Sequence, residues 1–229
     1  MKSEQLPQGP SRNKVLAARL SIIAAVISIV ALLSLHFLSP EFAPSWRMVS
    51  EYANGHYEWV LFIFFGFWGI SSWCAAYFLW SDVSTLSSKA GVVLLVVSGL
   101  GEILAAFFNV NHPLHGASGT LGIPTFVIAS LLISYHLKAK PEWHENRRTL
   151  LWSAHATWIS LVLIVITMIV MIAGFKNAGI ALGPGQKPPT SVPDGVVAIV
   201  GYANRILIAA YIYWLLFVAN KYINILESK

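Results

Sequence analysis

The chain has 229 residues, of which 56% are hydrophobic and only 11% are charged, and its mean hydropathy is +0.66. A soluble domain carries about 25% charged residues, so this composition excludes an ordinary soluble protein and is typical of one that lies in a lipid bilayer. The net charge of +5 does not indicate a nucleic-acid partner, because the basic residues follow a membrane topology. The single cysteine, Cys74, excludes an intramolecular disulfide and a metal site built from cysteines.

Six apolar runs are long enough to cross a bilayer as helices, which takes about 20 residues each. They cover residues 15–37, 59–80, 90–111, 121–137, 149–175 and 196–222. The first run is too long for the core of a signal peptide and is interpreted as an anchor. The sequence therefore predicts an all-α integral membrane protein, a six-transmembrane-helix bundle over residues 15–222. Residues 1–14 are predicted to form a mobile cytoplasmic tail and residues 223–229 a short cytoplasmic tail.

The distribution of Lys and Arg predicts the orientation of these spans. Ten basic residues lie in the two tails, the second loop and the fourth loop, whereas the opposite side has three, Arg47, Lys176 and Lys187. Cytoplasmic loops carry the excess of positive charge, so both termini are predicted to be cytoplasmic. We expect a multi-pass protein of the plasma (inner) membrane with membrane lipids as its partners.

The segment between the first two spans, residues 39–58, contains more charged residues and more helix-boundary patterns than a plain connecting loop needs. Ser39-Pro40-Glu41 is a helix-start pattern, and Asn54-Gly55 is a helix-stop pattern. Between them, Trp46 lies on an apolar face, while Arg47 and Glu51 share another face at a spacing of four. These patterns predict a short, outward-facing amphipathic helix on the membrane surface. The helix would be either a structural plug over the bundle or a lid over a binding site.

Polar residues line one face of the third span. The residues recur at a helical 4-3-4-3 spacing: Ser98, Glu102, Ala105, Asn109 and His112. A carboxylate facing lipid is costly, so this face is predicted to point into the bundle. Glu102 and Arg205, in the last span, each lie about 13 Å below the outer surface, which predicts a salt bridge between them. Ser71 and Ser72 are expected to bond back to their own helix.

The loop after the third span contains two histidines, His112 and His115, which could share a zinc ion. A third ligand would have to come from elsewhere, the candidates being Glu102, Glu51, His56 and Asp194. Two histidines separated by two residues are a weak metal signal on their own. No metal and no cofactor is therefore predicted.

Several stretches resemble a known membrane family. They are Ser50-Glu51-Tyr52 after the first span, Phe108-Asn109-Val110-Asn111 at the end of the third, the histidine-containing loop that follows, and the stretch 201–205 in the last span. The chain resembles a bacterial and archaeal six-helix membrane family catalogued as domain of unknown function 998. This chain has Phe-Asn-Val-Asn where the family usually has Phe-Pro-x-Asp. The resemblance covers nearly the whole chain and implies the six-helix topology, but no activity.

The sequence is interpreted as a bundle with an outward-opening polar pocket that binds a lipid headgroup or small amphiphile. The predicted ligand-binding residues are Arg47, Glu51, Glu102, Asn109, His112, His115 and Arg205. Two alternatives stay open, a membrane-embedded hydrolase that uses the His/Glu cluster and a small-solute transporter. No catalytic residue is assigned. The spans show no inverted repeat, which is a common feature of transporters.

Overall fold

Six long helices dominate the computed structural model, which describes residues 10–180 and 189–228. The long helices are α1 (Pro10–Leu38), α2 (Glu58–Leu79), α3 (Leu86–Phe107), α4 (His115–Leu137), α5 (Arg147–Asn177) and α6 (Val200–Glu227). Two short 3-10 helices, Val49–Asn54 and Pro141–Asn146, precede α2 and α5. All six long helices are long and apolar enough to cross a membrane. The predicted fold class, an all-α bundle of six membrane-spanning helices, is confirmed.

Some helix boundaries differ from the predicted ones. Helix α1 begins at Pro10, so residues 10–14 are helical where a mobile tail was predicted, and residues 1–9 lie outside the described part of the chain. Helix α3 ends at Phe107, and α4 already begins at His115, well before the apolar run that predicts it. Hydrophobicity locates the part of a helix in the hydrocarbon, whereas backbone hydrogen bonds decide where the helix itself ends.

Helix α4 contains an internal proline, Pro124, close to two carbonyls that accept hydrogen bonds from other helices. Proline has no backbone donor, so the carbonyl four residues earlier, that of Thr120, loses its helical partner. Ser98 of α3 donates to the Gly122 carbonyl at 2.7 Å, and Tyr211 of α6 donates to the Ile123 carbonyl at 3.0 Å. The proline region is therefore held by two other helices.

The helices pack in a ring in which each contacts the next and α6 closes against α1. Helices α2 and α6 are the most enclosed of the six, and Tyr211, Trp214 and Leu215 of α6 are fully buried. Glycines bring α3 very close to its neighbours, since a Cβ on Gly101 would lie 2.3 Å from the Gly122 nitrogen of α4. Small residues at helix crossings allow this close packing in membranes.

Helix α5 presents a wide apolar face to the outside of the bundle. The exposed fractions on this face exceed 40% for Ile159, Val162, Val165, Ile166 and Ile169. A patch of this size on a soluble monomer would be an association or aggregation surface. On a helix of this length and hydropathy it is suited to contact with lipid tails.

The segment between α1 and α2 contains a shorter helix than the sequence predicts. Residues 40–46 form turns, and only Val49–Asn54 is helical, as a 3-10 helix. Helix α1 continues to Leu38 and Pro44 lacks a backbone donor, so no α-helix starts at Ser39. Val49 and Tyr52 are buried against the bundle. Residues 39–57, called the cap segment below, therefore cover one end of the bundle, which favours the plug interpretation over the lid.

Candidate functional site

Arg205 fastens the cap segment to the bundle. Its Nε donates to His36 Nε2 at 2.7 Å, and its Nη2 donates to the Tyr52 hydroxyl at 3.1 Å. Its Nη1 lies within bonding distance of three carbonyl oxygens, those of Pro44 (3.2 Å), Arg47 (2.9 Å) and Gly201 (2.9 Å). An arginine has five N–H donors in a rigid fork and no acceptor. This arginine is engaged on all three nitrogens by the protein itself.

Gly201 and Asn204 complete this attachment on α6. A Cβ on Gly201 would lie 2.5 Å from the Pro44 oxygen and 2.6 Å from the Arg47 oxygen, so only glycine allows the cap segment to sit this close. The buried Asn204 accepts a hydrogen bond from the Val49 backbone at 2.8 Å. This bond satisfies a donor at the start of the 3-10 helix, which would otherwise be buried without a partner.

Arg47 and Glu51 form an ion pair within the cap segment. Arg47 Nη1 donates to Glu51 Oε2 at 2.7 Å, and the Met48 backbone donates to the other carboxylate oxygen at 2.8 Å. The Arg47 guanidinium also lies 3.9 Å from the centre of the Trp46 ring and donates to the Pro189 carbonyl at 2.6 Å. Both charges are thus used to shape the segment and to hold the loop before α6.

Glu102 lies in a separate place, between α2, α3 and α4. Its exposed fraction is 4%, and its oxygens lie 2.8 Å from the Ser72 hydroxyl and 3.1 Å from the Ser98 hydroxyl. The predicted salt bridge with Arg205 is wrong, since no ion pair among the described residues joins them. Equal depth was not sufficient, because α3 packs between α2 and α4 while α6 packs between α5 and α1.

The serines of α2 also differ from their prediction. Ser72 donates to Glu102, and Ser71 donates to the Ser21 carbonyl of α1 at 2.9 Å. Both therefore connect helices instead of bonding back to their own helix. Sequence alone did not identify them as partners, because a serine in a span carries the same local signal in either case.

Asn109 and His112 lie in the turn between α3 and α4, and His115 is the first residue of α4. The Asn109 side chain accepts from the Asn111 backbone at 3.1 Å, and His115 Nδ1 lies 2.7 Å from the Phe108 carbonyl oxygen. The His112 ring stacks on Phe108 at 4.5 Å. In residues 10–180 and 189–228, no group of three His, Cys, Asp or Glu side chains is close enough to share a metal ion.

The seven predicted ligand-binding residues therefore fall in three groups. Arg205, Arg47 and Glu51 belong to the cap attachment, Glu102 to the contact of α2, α3 and α4, and the other three to the connection from α3 to α4. The first and third groups touch, because Asn111 of that connection donates to Asn54 of the cap segment at 2.7 Å. The expected single pocket with these residues as floor, wall and lid is not formed. The spacing of polar residues along a helix predicts which side chains point into the bundle, but it does not predict which other helices they meet there.

A polar cavity of about 590 Å³ lies at the opposite end of the bundle, between the start of α3 and the end of α4. It is lined by Ser84, Thr85, Ser87, Leu131, Leu132, Tyr135, His136, Ala139 and Lys140. Among the described residues, His136 Nε2 is one of four buried side-chain atoms without a hydrogen-bond partner, the others being Ser39 Oγ, Arg47 Nε and Trp68 Nε1. Such atoms are uncommon in a folded protein. We call this space the polar cavity.

Lysines from two parts of the chain meet at Asp82 beside the polar cavity. Lys140 Nζ lies 4.0 Å from one oxygen of Asp82, and Lys14 Nζ lies 3.8 Å from the other. The Tyr222 hydroxyl also donates to Asp82. The sequence carries two signals for this site, the Ser/Thr-rich run 84–88 and the basic residues of the loop 138–148, which lie on the same side of the membrane in the predicted topology. In the prediction, those basic residues served only to orient the spans.

A second space, an apolar groove of about 430 Å³, lies between α2 and α3 at the same end. Its walls include Trp73, Tyr77, Trp80 and Val96, and Lys14 stands at its rim. Its apolar and aromatic walls suit an acyl chain.

The family comparison agrees with the motifs. A family model described as Protein of unknown function (DUF998) matches residues 22–221, so the chain belongs to this family. No curated protein and no solved structure matches the chain. Two of the stretches that carry the resemblance, 50–52 and 201–205, meet in the structure through the Tyr52–Arg205 hydrogen bond.

Proposed function

We propose that this member of the DUF998 family binds an anionic lipid whose phosphate headgroup occupies the polar cavity. One observation carries the proposal: a single cavity combines a lysine, several side-chain hydroxyl groups and an apolar wall. Basic pockets between membrane helices commonly bind phosphate headgroups. The lipid or amphiphile hypothesis from the sequence is retained, but at the other end of the bundle.

The residues of the polar cavity divide into two chemical halves. Lys140 and the hydroxyls of Ser84 and Ser87 offer hydrogen-bond donors to phosphate oxygens. Leu131 and Leu132 offer an apolar wall to the first methylenes of an acyl chain. An amphiphile satisfies both halves, whereas a free polar solute would leave the leucines without an apolar partner.

His136 is the most informative residue of the cavity. Its ring has two nitrogens, and a protonated nitrogen can donate to a phosphate oxygen. In the described structure His136 Nε2 contacts no partner. Because Nε2 has almost no accessible surface, a headgroup would bond it only after the ring turns toward the cavity. The headgroup would also compete with Asp82 for Lys140, whose contact with Asp82 is 4.0 Å long.

The experiment titrates short-chain phosphatidylglycerol into the detergent-solubilised protein and follows the rise in Tm, which reports ligand affinity. Lys140→Gln should weaken binding roughly fivefold, since each Lys or Arg contributes about 1 kcal/mol to an anionic lipid surface. Arg148→Gln is the matched control, because it removes the same charge from the same end outside the cavity lining. Phosphatidylcholine of the same chain length tests whether net headgroup charge matters.

Equal weakening by Lys140→Gln and Arg148→Gln would show a general surface attraction and would reject the cavity. A rise in Tm of equal size with phosphatidylcholine would reject the anionic headgroup. His136→Phe should also weaken binding of phosphatidylglycerol, because it removes the unpaired nitrogen while keeping an aromatic ring.

A further inference from the structure

Glu102 has an unusual environment for an acidic residue. It lies in the last third of α3 and is buried between α2 and α4. None of the ion pairs among the described residues includes it. An ionised carboxylate inside a membrane normally pairs with a cation or faces water. The hydrogen bonds around Glu102 indicate how this one is accommodated.

The decisive atom is the hydroxyl oxygen of Ser98. It lies 2.7 Å from the Gly122 carbonyl oxygen and 3.1 Å from Glu102 Oε1. A serine hydroxyl has one proton to donate. The Gly122 carbonyl can only accept, so the shorter contact takes the Ser98 proton. The contact between Ser98 and Glu102 is then a hydrogen bond only if Glu102 Oε1 carries the donating proton.

The other carboxyl oxygen fits the same assignment. Ser72 donates to Glu102 Oε2 at 2.8 Å, which is the bond that the carbonyl oxygen of a neutral acid accepts. When Glu102 is neutral, every contact in the row from Ser72 through Glu102 and Ser98 to the Gly122 carbonyl is therefore a hydrogen bond with one donor and one acceptor. We propose that Glu102 is a neutral carboxylic acid and that these residues of α2, α3 and α4 form an occluded proton-binding site.

Among the described residues, the groups that face the site offer no countercharge to an ionised carboxylate. Helix α2 contributes the Ser72 hydroxyl, α4 contributes the Gly122 backbone, and α6 contributes Tyr211, whose hydroxyl donates to the Ile123 carbonyl. The backbones at Gly101 and Gly122 are in close contact beside the acid, which leaves little room for water.

Infrared spectroscopy of the reconstituted protein at neutral pH tests the proposal. A water-exposed glutamate is ionised at that pH, whereas Glu102 should give the carbonyl-stretching band of a protonated acid. The band should be missing in Glu102→Gln and unchanged in the matched control Glu51→Gln, which removes a carboxylate paired with Arg47. In deuterated buffer the band should shift only slowly, because the proton is occluded.

Two further measurements guard against a variant that fails to fold. Glu102→Gln should keep a Tm within about 2 °C of the unsubstituted protein, since an amide donates and accepts in the same places as the acid. Ser98→Ala keeps the acid but removes its acceptor, so the band should move in frequency and remain present.

Three outcomes would overturn the proposal. The first is a spectrum of the unsubstituted protein without the band. The second is a band that persists in Glu102→Gln, which would assign it to another group. The third is a Tm that rises specifically with sodium over potassium and choline, which would show an ionised carboxylate that binds a cation. None of these outcomes depends on lipid binding in the polar cavity.

Discussion

At the residue scale, Arg205 shows that a charge in a membrane span need not face a ligand. Its three guanidinium nitrogens bond a histidine, a tyrosine and three backbone carbonyls. His36 Nδ1 lies 2.8 Å from the Leu32 carbonyl oxygen and donates its hydrogen there. The other ring nitrogen, Nε2, therefore carries no hydrogen and can accept the hydrogen bond from Arg205 Nε. The cap segment has little regular structure, so its carbonyls lack the backbone donors that a helix would provide. The Arg205 guanidinium donates to two of these carbonyls instead.

Arg205→Lys should destabilise the protein almost as much as Arg205→Met. A lysine ammonium has no planar fork, so it leaves several carbonyls of the cap segment unsatisfied at about 1–3 kcal/mol each. Thermal unfolding in detergent measures the loss. Arg19→Lys is the control, because the exposed pair of Arg19 with Glu227 contributes only about 0–1 kcal/mol. Equal Tm values for Arg205→Lys and the unsubstituted protein would contradict this role.

Glu102→Leu and Arg205→Met should have additive effects on stability. The two residues share no hydrogen-bond partner, and independent sites add within about 0.5 kcal/mol. A double-mutant cycle in thermal or denaturant unfolding measures the coupling. Recovery of stability in the double variant would mean that the two residues interact after all.

At the scale of elements, close backbone contacts decide how the cap segment meets α6. Gly201 lets two carbonyls of the cap segment approach the helix, and those carbonyls then accept from Arg205 one turn later. The glycine therefore provides the space for the turns at Pro44 and Arg47, and the arginine provides the hydrogen bonds that hold them. Together they explain why the 3-10 helix Val49–Asn54 is buried on the bundle without a longer helix of its own.

Gly201→Ala should lower Tm and loosen the cap segment, because its Cβ would lie 2.5 Å from the Pro44 oxygen. Gly66→Ala is the matched control, since nothing lies within 4 Å of a Cβ at that helical glycine. The control should be neutral or stabilising by up to about 1 kcal/mol, the cost of glycine within a helix. Proteolysis or hydrogen exchange of residues 39–57 reports the loosening. Identical behaviour of the two variants would show that the contact is not tight.

At the scale of the whole molecule, the two ends of the bundle differ in chemistry. One end is covered by the cap segment and uses its charges internally. The other end has the polar cavity, the apolar groove and the lysines that share Asp82. The positive-inside rule predicts that this second end faces the cytoplasm.

Cysteine labelling in intact cells tests that orientation. In a Cys74→Ala background, His56→Cys should react with a membrane-impermeant maleimide and Glu145→Cys should not. Both side chains are exposed and lie at opposite ends of the bundle, so accessibility to water is matched and only the side of the membrane differs. Labelling of Glu145→Cys alone would mean that the bundle has the reverse orientation.

The sequence determined the six spans and the inward direction of Ser98 and Glu102. Both depend on local information, namely the length of an apolar run and the spacing of polar residues on one helix. The third helix ended earlier than predicted, at Phe107, because the apolar pattern continues past the last helical hydrogen bond. Trp46, Arg47 and Glu51 correctly indicate an amphipathic structured segment between the first two spans. The sequence pattern does not predict the turns around Pro44, which replace the first part of the expected helix.

Only the tertiary structure decided which polar groups meet. Glu102 and Arg205 carry opposite charges at similar depth, yet the ring order of the helices gives each a different set of partners. The polar cavity likewise combines residues from the loop after α2, from α3 and from the end of α4. Neighbour order depends on the sum of all helix contacts, including glycine crossings such as Gly101 with Gly122. No single stretch of sequence contains that sum.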